Sequence, residues 1–359
     1  MRYTDCLPGL RSAVLDCSGR TAPELDGGKR GGGEEPPETN KAYDANDTNE
    51  TLNRTAMKIA ISGASGFIGS HLAGYLTAQG HQVVSLGRGY FSGFPAPGPG
   101  VIGDRAWDGA MGRLVAALEG CGAVVNLAGA PIDRRWSDTY KEELYASRIG
   151  PTRRLVEAIG ALETPPGVLV SVSAVGYYPA EGCYKETDAR KGTGFLSDLC
   201  AAWEQEAQRV PPGVRLVVTR FGVVFSPGGG AFPRLARPFR MGVAARLGDG
   251  SQNVSWIALE DLVRAIGFVL EDAAVRGTVN MVAPQHLTNA ELTGALARHY
   301  RVSLRVGVPG WIVRAIYGEA AQVLLSGQCA VPEKLTAAGF TFDAENIERF
   351  LERSAPFGK

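Results

Sequence analysis

The residues with the clearest chemical content are three glycines. Gly63, Gly66 and Gly69 recur at three-residue intervals in SGASGFIG (62–69), directly after an apolar run and at the start of an apolar-periodic segment. Gly63 permits a sharp turn, Gly66 lets a pyrophosphate approach bare backbone, and Gly69 lets a helix lie close on a sheet. A helix opening there presents unpaired N–H groups and partial positive charge, an anion site made of main chain. Ser65, Phe67 and Ile68 complete the loop. The chemistry expected of it is dinucleotide binding.

Such a loop works only if a strand delivers it and a helix leaves it. Apolar runs at MKIAIS (57–62), QVVSLG (82–87), AVVNLAG (123–129), VLVSVSA (168–174) and RLVVTRFGVV (215–224) read as strands, with another ending near Trp107. Helical patterns lie between them, including a long one from about 138 to 162, read as interrupted at Gly150–Pro151, and FLSDLCAAWEQEAQRV (195–210). Short apolar strands alternating with helices predict right-handed βαβ units: an α/β, Rossmann-type, doubly wound parallel sheet. Beyond 223 the alternation loosens into Pro/Gly loops, a helix near 260–271, the strand TVNMVA and a helical C-terminal third. The expected division is a NAD(P)-binding domain over 57–280, with part of a substrate lobe inserted at about 223–258, and a small C-terminal domain over 281–359.

Composition excludes several classes. Lys plus Arg equals Asp plus Glu at 37 each, which lacks the cationic surplus of a sequence-independent nucleic-acid binder. No run of roughly 18 apolar residues is available to span a membrane. Six cysteines form no C-x-x-C and read as scattered thiols, and four histidines form no H-x-x-x-H, so no metal site is expected. Residues 1–56 are rich in Gly, Pro and charge and lack periodicity; they read as a disordered tail or as a start codon assigned upstream of Met57. No apolar signal segment is present there, and acidic residues outnumber basic ones, so a cytoplasmic protein is expected. Glycine is in surplus: 47 of 359 residues, about 13% against the usual ~7%.

The G-x-x-G-x-x-G spacing resembles the short-chain dehydrogenase/reductase superfamily, and SGASGFIG its extended, epimerase-type branch. In that comparison an acid closing strand two would hold the ribose of NAD. Here the strand runs into Arg88, whose guanidinium suits a 2′-phosphate, so NADP(H) is favoured over NAD(H). Leu127, Ala128 and Gly129 match the superfamily's N-[NL]-A-G segment beside the cofactor, and Trp107–Asp108 would flank the adenine. The superfamily's proton relay is Tyr-x-x-x-Lys with a serine. Ser173 stands at the serine position, but Phe195 and Leu199 stand where the pair is expected, and no Tyr-x-x-x-Lys occurs in the chain. The proton donor has then moved, with Tyr177 or Tyr178 as candidates, or ordinary turnover is absent.

The strings NLAGAPIDRRWSDTYKEELYASRI, SVSAVGYYP, FLSDLCAAWE, TRFGVVFSPGGGAF and LGDGSQNVSWIALEDLVRAI are similar to the NAD(P)-dependent epimerase-family proteins of uncertain substrate. The C-terminal VPGWIVRAIYGEAAQVLLSGQCAVPEKLTAAGFTF resembles the small domain of unknown function that ends them. The resemblance implies substrate-side roles for Arg135, Trp136, Arg148, Arg220, Gln252 and Trp256, the last as a flat stacking face; Arg220, and Arg234 or Arg237, would meet an anionic group. The leading reading is an NADP(H)-dependent oxidoreductase or epimerase-like enzyme acting on an unknown small molecule, with Ser173 orienting a carbonyl and Tyr177 as donor. Two others stay open: a catalytically silent NADP(H)-binding sensor or regulatory protein, and a nucleotide-sugar epimerase. A homodimer is the assembly considered.

Overall fold

The computed structural model describes residues 56–87, 101–104 and 110–354. Its central sheet is built from β1 (Lys58–Ser62), β2 (Gln82–Leu86), β3 (Val101–Asp104), β4 (Ala123–Asn126) and β5 (Val168–Ala174). After a two-residue β6 (Cys183–Tyr184) it gains β7 (Arg215–Phe221). Outside that sheet follow β8 (Val223–Ser226), β9 (Gly229–Gly230), β10 (Val243–Leu247) and β11 (Trp256–Ala258). Then β12 (Gly277–Met281) closes the sheet's far edge, and β13 (Leu304–Val308) and β14 (Cys329–Ala330) complete the strands. The sheet order is β12-β7-β5-β4-β1-β2-β3, and every pairing in it is parallel. This is the expected doubly wound α/β fold. Its order reverses between β1 and β4, where open sheets of this kind leave a crevice at the carboxyl ends of the strands.

Alternation within the strands sends side chains to two helical layers. Ile59, Ile61, Val125, Val168 and Val170 pack beneath α1 (Phe67–Ala78) with Leu262, Ile266 and Val269 from further along the chain. Ala60, Val84, Val124 and Leu169 meet α2 (Met111–Leu118) and α3 (Asp138–Gly160) on the other face. The break expected at Gly150–Pro151 is not there: α3 runs through Pro151. Proline removes one N–H and leaves the Ser147 carbonyl without its helical donor. Burial of Leu144, Leu155 and Ile159 on the same helix outweighs that loss. The fourth helix, α4 (Phe195–Ala207), covers β5 and β7.

The strand read over 215–224 is two strands. A Cβ at Gly222 would lie 2.7 Å from the Ser255 carbonyl oxygen. The chain turns there and enters the small β11-β8-β9 sheet. Around that sheet α5 (Phe232–Arg240), α6 (Leu259–Glu271), α7 (Asn289–His299) and α8 (Gly310–Tyr317) follow in order, then α9 (Gln322–Leu325), α10 (Glu333–Ala337) and α11 (Ile347–Arg353). Phe225, Phe232, Phe239, Trp256, Leu292, Leu296 and Phe350 form a second core between β8, β11, α5, α7 and α11. The C-terminal helices therefore complete the lobe that the 223–258 segment begins.

Asp261 fastens the two. Wholly buried at the start of α6, its carboxylate accepts the backbone N–H groups of Asp343 and Ala344, each at 2.9 Å. Replacing Asp261 with Ala orphans both donors and is expected to cost on the order of 2–4 kcal/mol in urea unfolding. Burial lifts the Asp261 carboxyl above its ordinary range, against the pull of those N–H groups. The folded protein thus holds that proton more tightly than the unfolded chain, and its stabilising share fades as pH rises through the folded pKa. The stability difference between wild type and Asp261→Asn is expected to shrink as pH is raised from about 4 to 7.

Candidate nucleotide cleft and the buried ion pair beside it

The glycine loop sits at the order reversal of the sheet. Gly63 has φ +74°, and a Cβ there would come 2.9 Å from the Leu127 carbonyl oxygen and 3.2 Å from the Ala128 nitrogen. A Cβ at Gly69 would lie 2.2 Å from the Gly63 oxygen, so α1 can seat itself against the turn only with glycine at that point. Helix α1 begins at Gly66 with no side-chain cap and no acidic residue in its first turn. Ser65 and Gly66 are exposed. The first N–H groups of α1 are left for an external anion. Phe67 lies under the β8–β9 hairpin, where a Cβ at Gly229 would meet its ring at 2.5 Å.

The loop, Leu127 and Ala128 are thus brought together. Buried polar side chains brace the strand ends behind them. Ser62 Oγ donates to Asn126 Oδ1 at 2.6 Å, and Asn126 Nδ2 to Thr152 Oγ1 at 2.8 Å. Trp203 Nε1 donates to that same threonine oxygen at 2.9 Å, which ties β1, β4, α3 and α4 into one network. Arg88, Trp107 and Asp108 lie outside the described residues.

Arg148 is inside the scaffold and does not reach into the cleft. It is 9% exposed, donates to the Ala130 and Leu144 carbonyls, and lies 5.2 Å from the centre of the Trp203 ring. Among the described residues it has no carboxylate partner, and burial pulls its pKa below the usual arginine value. Its guanidinium backs Gly129, where a Cβ would meet Arg148 Cζ at 3.1 Å.

Ser173 is 1% exposed and donates to Glu204 Oε1 at 2.7 Å. Glu204 in turn takes two hydrogen bonds from Arg220, Nε to Oε1 and a terminal nitrogen to Oε2, both at 2.8 Å. The Arg220 guanidinium lies 3.5 Å from the centre of the Tyr177 ring and 4.6 Å from that of Tyr178. Arg220 is therefore the counter-ion of a buried glutamate, which corrects its expected role as an anion receptor. Its pairing with Glu204 holds it protonated beyond the ordinary arginine range. Ser173 and Tyr177 do belong to one assembly, but through Glu204 and Arg220 and with no contact between them. Tyr178 is fully buried and its hydroxyl donates to Asn280 Oδ1. Desolvation raises its pKa.

Glu204 is the member that the sequence reading missed. The available signal was its position four residues after Cys200, which puts both on the helix face turned to β5. Burial pushes the Cys200 thiol up to about 12. Phe195 and Leu199 face the other way, toward α3. Phe195 lies 5.1 Å from Trp136 and 5.7 Å from Tyr145, ring centre to ring centre. Leu199 packs with Trp136, Tyr140, Leu144 and Ala320. Their positions are filled by hydrocarbon.

The remaining expected contacts are corrected by burial. Trp256 is 0% exposed, stacked on Phe225 at 5.3 Å, with its Nε1 lacking an acceptor among the described residues. It is core and offers no stacking face to a substrate. Trp136 is buried, with Nε1 donating to the Ile132 carbonyl. Gln252 spends both amide hydrogens on the carbonyls of Leu247 and Leu324. Arg135 stays exposed beside Gly318. Arg234 is exposed and paired with Asp133, and Arg237 is exposed on α5.

The cysteines are not all scattered. Cys183 and Cys329, 146 residues apart, form a disulfide, and His286 stands beside both sulfurs. Spacing in the sequence could not show this, because β6 and β14 meet only in the fold.

The sequence profile described as the NAD dependent epimerase/dehydratase family matches residues 59–282, and that of a domain of unknown function (DUF1731) matches 308–353. An epimerase family protein of Mycobacterium bovis is 40% identical over 299 residues, 82% of this chain and 96% of its own. The human epimerase family protein SDR39U1 is 35% identical over 303 residues, covering 82% and 99%. The crystal structure of human SDR39U1 with NADPH superimposes with a TM-score of 0.74 at 34% identity, covering 83% of this chain and 99% of that one. MoeE5, solved with UDP-glucose and NAD, shares the fold at 24% identity, with a TM-score of 0.65 and coverage of 82% and 96%.

The ion pair makes a direct prediction. Glu204→Gln leaves a buried guanidinium without its counter-charge and is expected to lose about 3–5 kcal/mol of stability. Adding Arg220→Met should return part of that loss, so the double variant is more stable in urea than the sum of the singles.

Proposed function

The chain belongs to the NAD dependent epimerase/dehydratase family, and we propose that it is a cytoplasmic, NADP(H)-dependent oxidoreductase or epimerase-like enzyme acting on a small molecule. The observation that carries this reading is the glycine turn closed against Leu127–Ala128, with the N-terminus of α1 left uncapped beside it. The cradle would be filled by a single added Cβ, and its donors are neutral N–H groups on a helix end, which fits a pyrophosphate. Arg88 at the exit of β2 supplies the choice of NADP(H), since a guanidinium can grip a 2′-phosphate through two charge-assisted hydrogen bonds. The human relative solved with NADPH supports the same choice.

When bound, the nicotinamide supplies hydride exchange. The chain's own residues must hold the substrate and move the proton. With Phe195 and Leu199 in place of a hydroxyl and an ammonium, the usual Tyr-x-x-x-Lys relay is replaced. Ser173 aims its hydrogen at Glu204, so a substrate hydroxyl admitted beside it would meet an oxygen with accepting capacity. A proton leaving the substrate would pass to Ser173 as the serine proton passes to Glu204. The two hydrogen bonds from Arg220 hold Glu204 in place at the end of that path. Tyr177, lying flat on Arg220, contributes to that environment as a ring and not as the donor expected of it.

A second reading, a cofactor-loaded protein without turnover, is favoured by one observation. Ser173 is enclosed, 1% exposed, with its hydroxyl committed to Glu204.

Thermal-shift titration tests the cofactor. NADPH at 100 times its Kd should stabilise by about 2.7 kcal/mol, NADH at equal concentration by much less, and Arg88→Ala should bring the two together. Equal shifts in the wild type would remove the NADP(H) assignment. Hydride transfer to aldehydes, ketones and quinones tests turnover. Ser173→Ala should lower kcat by roughly 10²-fold or more, the scale of a proton-transfer contribution. Activity that survives Ser173→Ala unchanged would refute the relay, and none with any acceptor would favour the second reading.

A further inference from the structure

We infer that Cys183–Cys329 is a thiol–disulfide exchange site, opened by small dithiols and closed by small disulfides, and that it latches the segment after β5 to the C-terminal part of the chain. Besides the bridge, an exposed Lys185–Glu333 ion pair and a Lys334 N–H bond to Glu186 join the two segments. Strands β6 and β14 have two residues each, in parallel register with Cys183 opposite Cys329 and Tyr184 opposite Ala330. One further backbone bond, Val331 N–H to the Tyr184 carbonyl at 2.8 Å, extends the pairing. A covalent link between segments 146 residues apart is the strongest constraint on that contact.

The two sulfurs are unequal. Cys183 is exposed, whereas Cys329 is 3% exposed. An incoming thiolate therefore reaches Cys183 Sγ. The S–S bond breaks as the new S–S bond forms, and Cys329 leaves with the electron pair as a thiolate. His286 Nδ1 lies 3.8 Å from one sulfur and 3.9 Å from the other, placed to give a hydrogen bond to the departing thiolate. The second thiol of the dithiol then attacks the mixed disulfide and frees Cys183. The dithiol is oxidised to its cyclic disulfide, and the protein gains two electrons and two protons. Glutathione disulfide drives the reverse reaction, yielding two molecules of reduced glutathione.

Opening the latch reaches further than the surface. Tyr184 stacks on Tyr178 at 5.3 Å with an angle of 6°. Asn280 Nδ2 donates to the carbonyls of Tyr184 and Val331 while its Oδ1 accepts from Tyr178. Tyr178 in turn lies against Arg220, so the bridge is three side chains from the Glu204 carboxylate.

The full chain is equilibrated in glutathione buffers from fully reduced to fully oxidised, quenched with a maleimide, and read by peptide mass. Cys183 and Cys329 should pass together from free to bonded. Cys329→Ser should carry glutathione on Cys183, and Cys183→Ser should leave Cys329 unmodified. His286→Ala should slow opening by dithiothreitol by about threefold or more, as expected for a poorer leaving thiol. Hydrogen exchange of the reduced wild type should lose protection at 183–184 and 329–331 and keep it in β1, β4 and β5. A bond that stays intact in the native protein under excess dithiothreitol overturns the inference. Equal glutathione uptake by the two serine variants, or identical exchange in the two redox states, does the same. None of these readouts depends on NADPH binding or turnover.

Discussion

The cleft depends on how closely the turn after β1 approaches the chain leaving β4 and the first turn of α1. Main chain meets main chain there, with less room than a methyl group needs at Gly63 and at Gly69. Most of the cleft follows from that constraint. A turn pressed onto Leu127–Ala128 cannot carry a capping side chain across the helix mouth, so α1 opens with free N–H groups. It also fixes where a ligand phosphate can lie, because the crevice exists only where the sheet order reverses. The Ser62–Asn126–Thr152–Trp203 network behind the contact contains no charged group, so it holds the strand ends without competing for the anion in front.

A second, charged assembly sits one strand further along. Placing Glu204 and Arg220 in the interior costs desolvation that a hydrophobic pair would avoid, and geometry must offset it. Two parallel hydrogen bonds, two aromatic faces over the guanidinium and a serine hydroxyl on the carboxylate supply that geometry. The assembly draws its partners from four elements: Ser173 from β5, Glu204 from α4, Arg220 from β7, and Tyr177 and Tyr178 from the turn after β5. The half of α4 that faces α3 carries the opposite chemistry. Phe195 and Leu199 pack there against Trp136 and Tyr140, whose N–H and O–H are spent on the Ile132 and Pro131 carbonyls. One helix thus separates an ionic face from a hydrocarbon face.

Much of this was legible in the sequence, for a physical reason. The strands buried on both faces are near-continuous apolar runs, and the glycine triplet marks its own position because no other residue fits. The family strings then extended the reading to the C-terminal helices. What could not be read was the direction of long polar side chains. Arg148, Arg220, Gln252 and Trp256 were assigned outward to a substrate, and each is turned inward. Their types are the same whether they serve ligand or scaffold, and only burial separates the two. Pro151 misled because local propensity was overridden by packing on both sides of α3. Cys183 and Cys329 are silent in sequence because a pairing across 146 residues has no local signature.

The inward arginines bear on what the cleft can select. Arg215 shows the pattern plainly: its guanidinium donates to the carbonyls of Val269, Leu270 and Val275, closing the C-terminal end of α6. Arg148 likewise donates to two carbonyls, those of Leu144 within α3 and Ala130 ahead of it. A lysine could not replace either, since one ammonium cannot fan out to several carbonyls in a plane. Arginine is therefore consumed in ending helices and balancing Glu204, although the chain as a whole is electrically neutral. Among the described residues, what the turn after β1 offers an anionic group is the main-chain N–H groups at the start of α1. Neutral N–H groups on a helix end suit a phosphate better than a cation or an apolar group, because the helix dipole adds partial positive charge there.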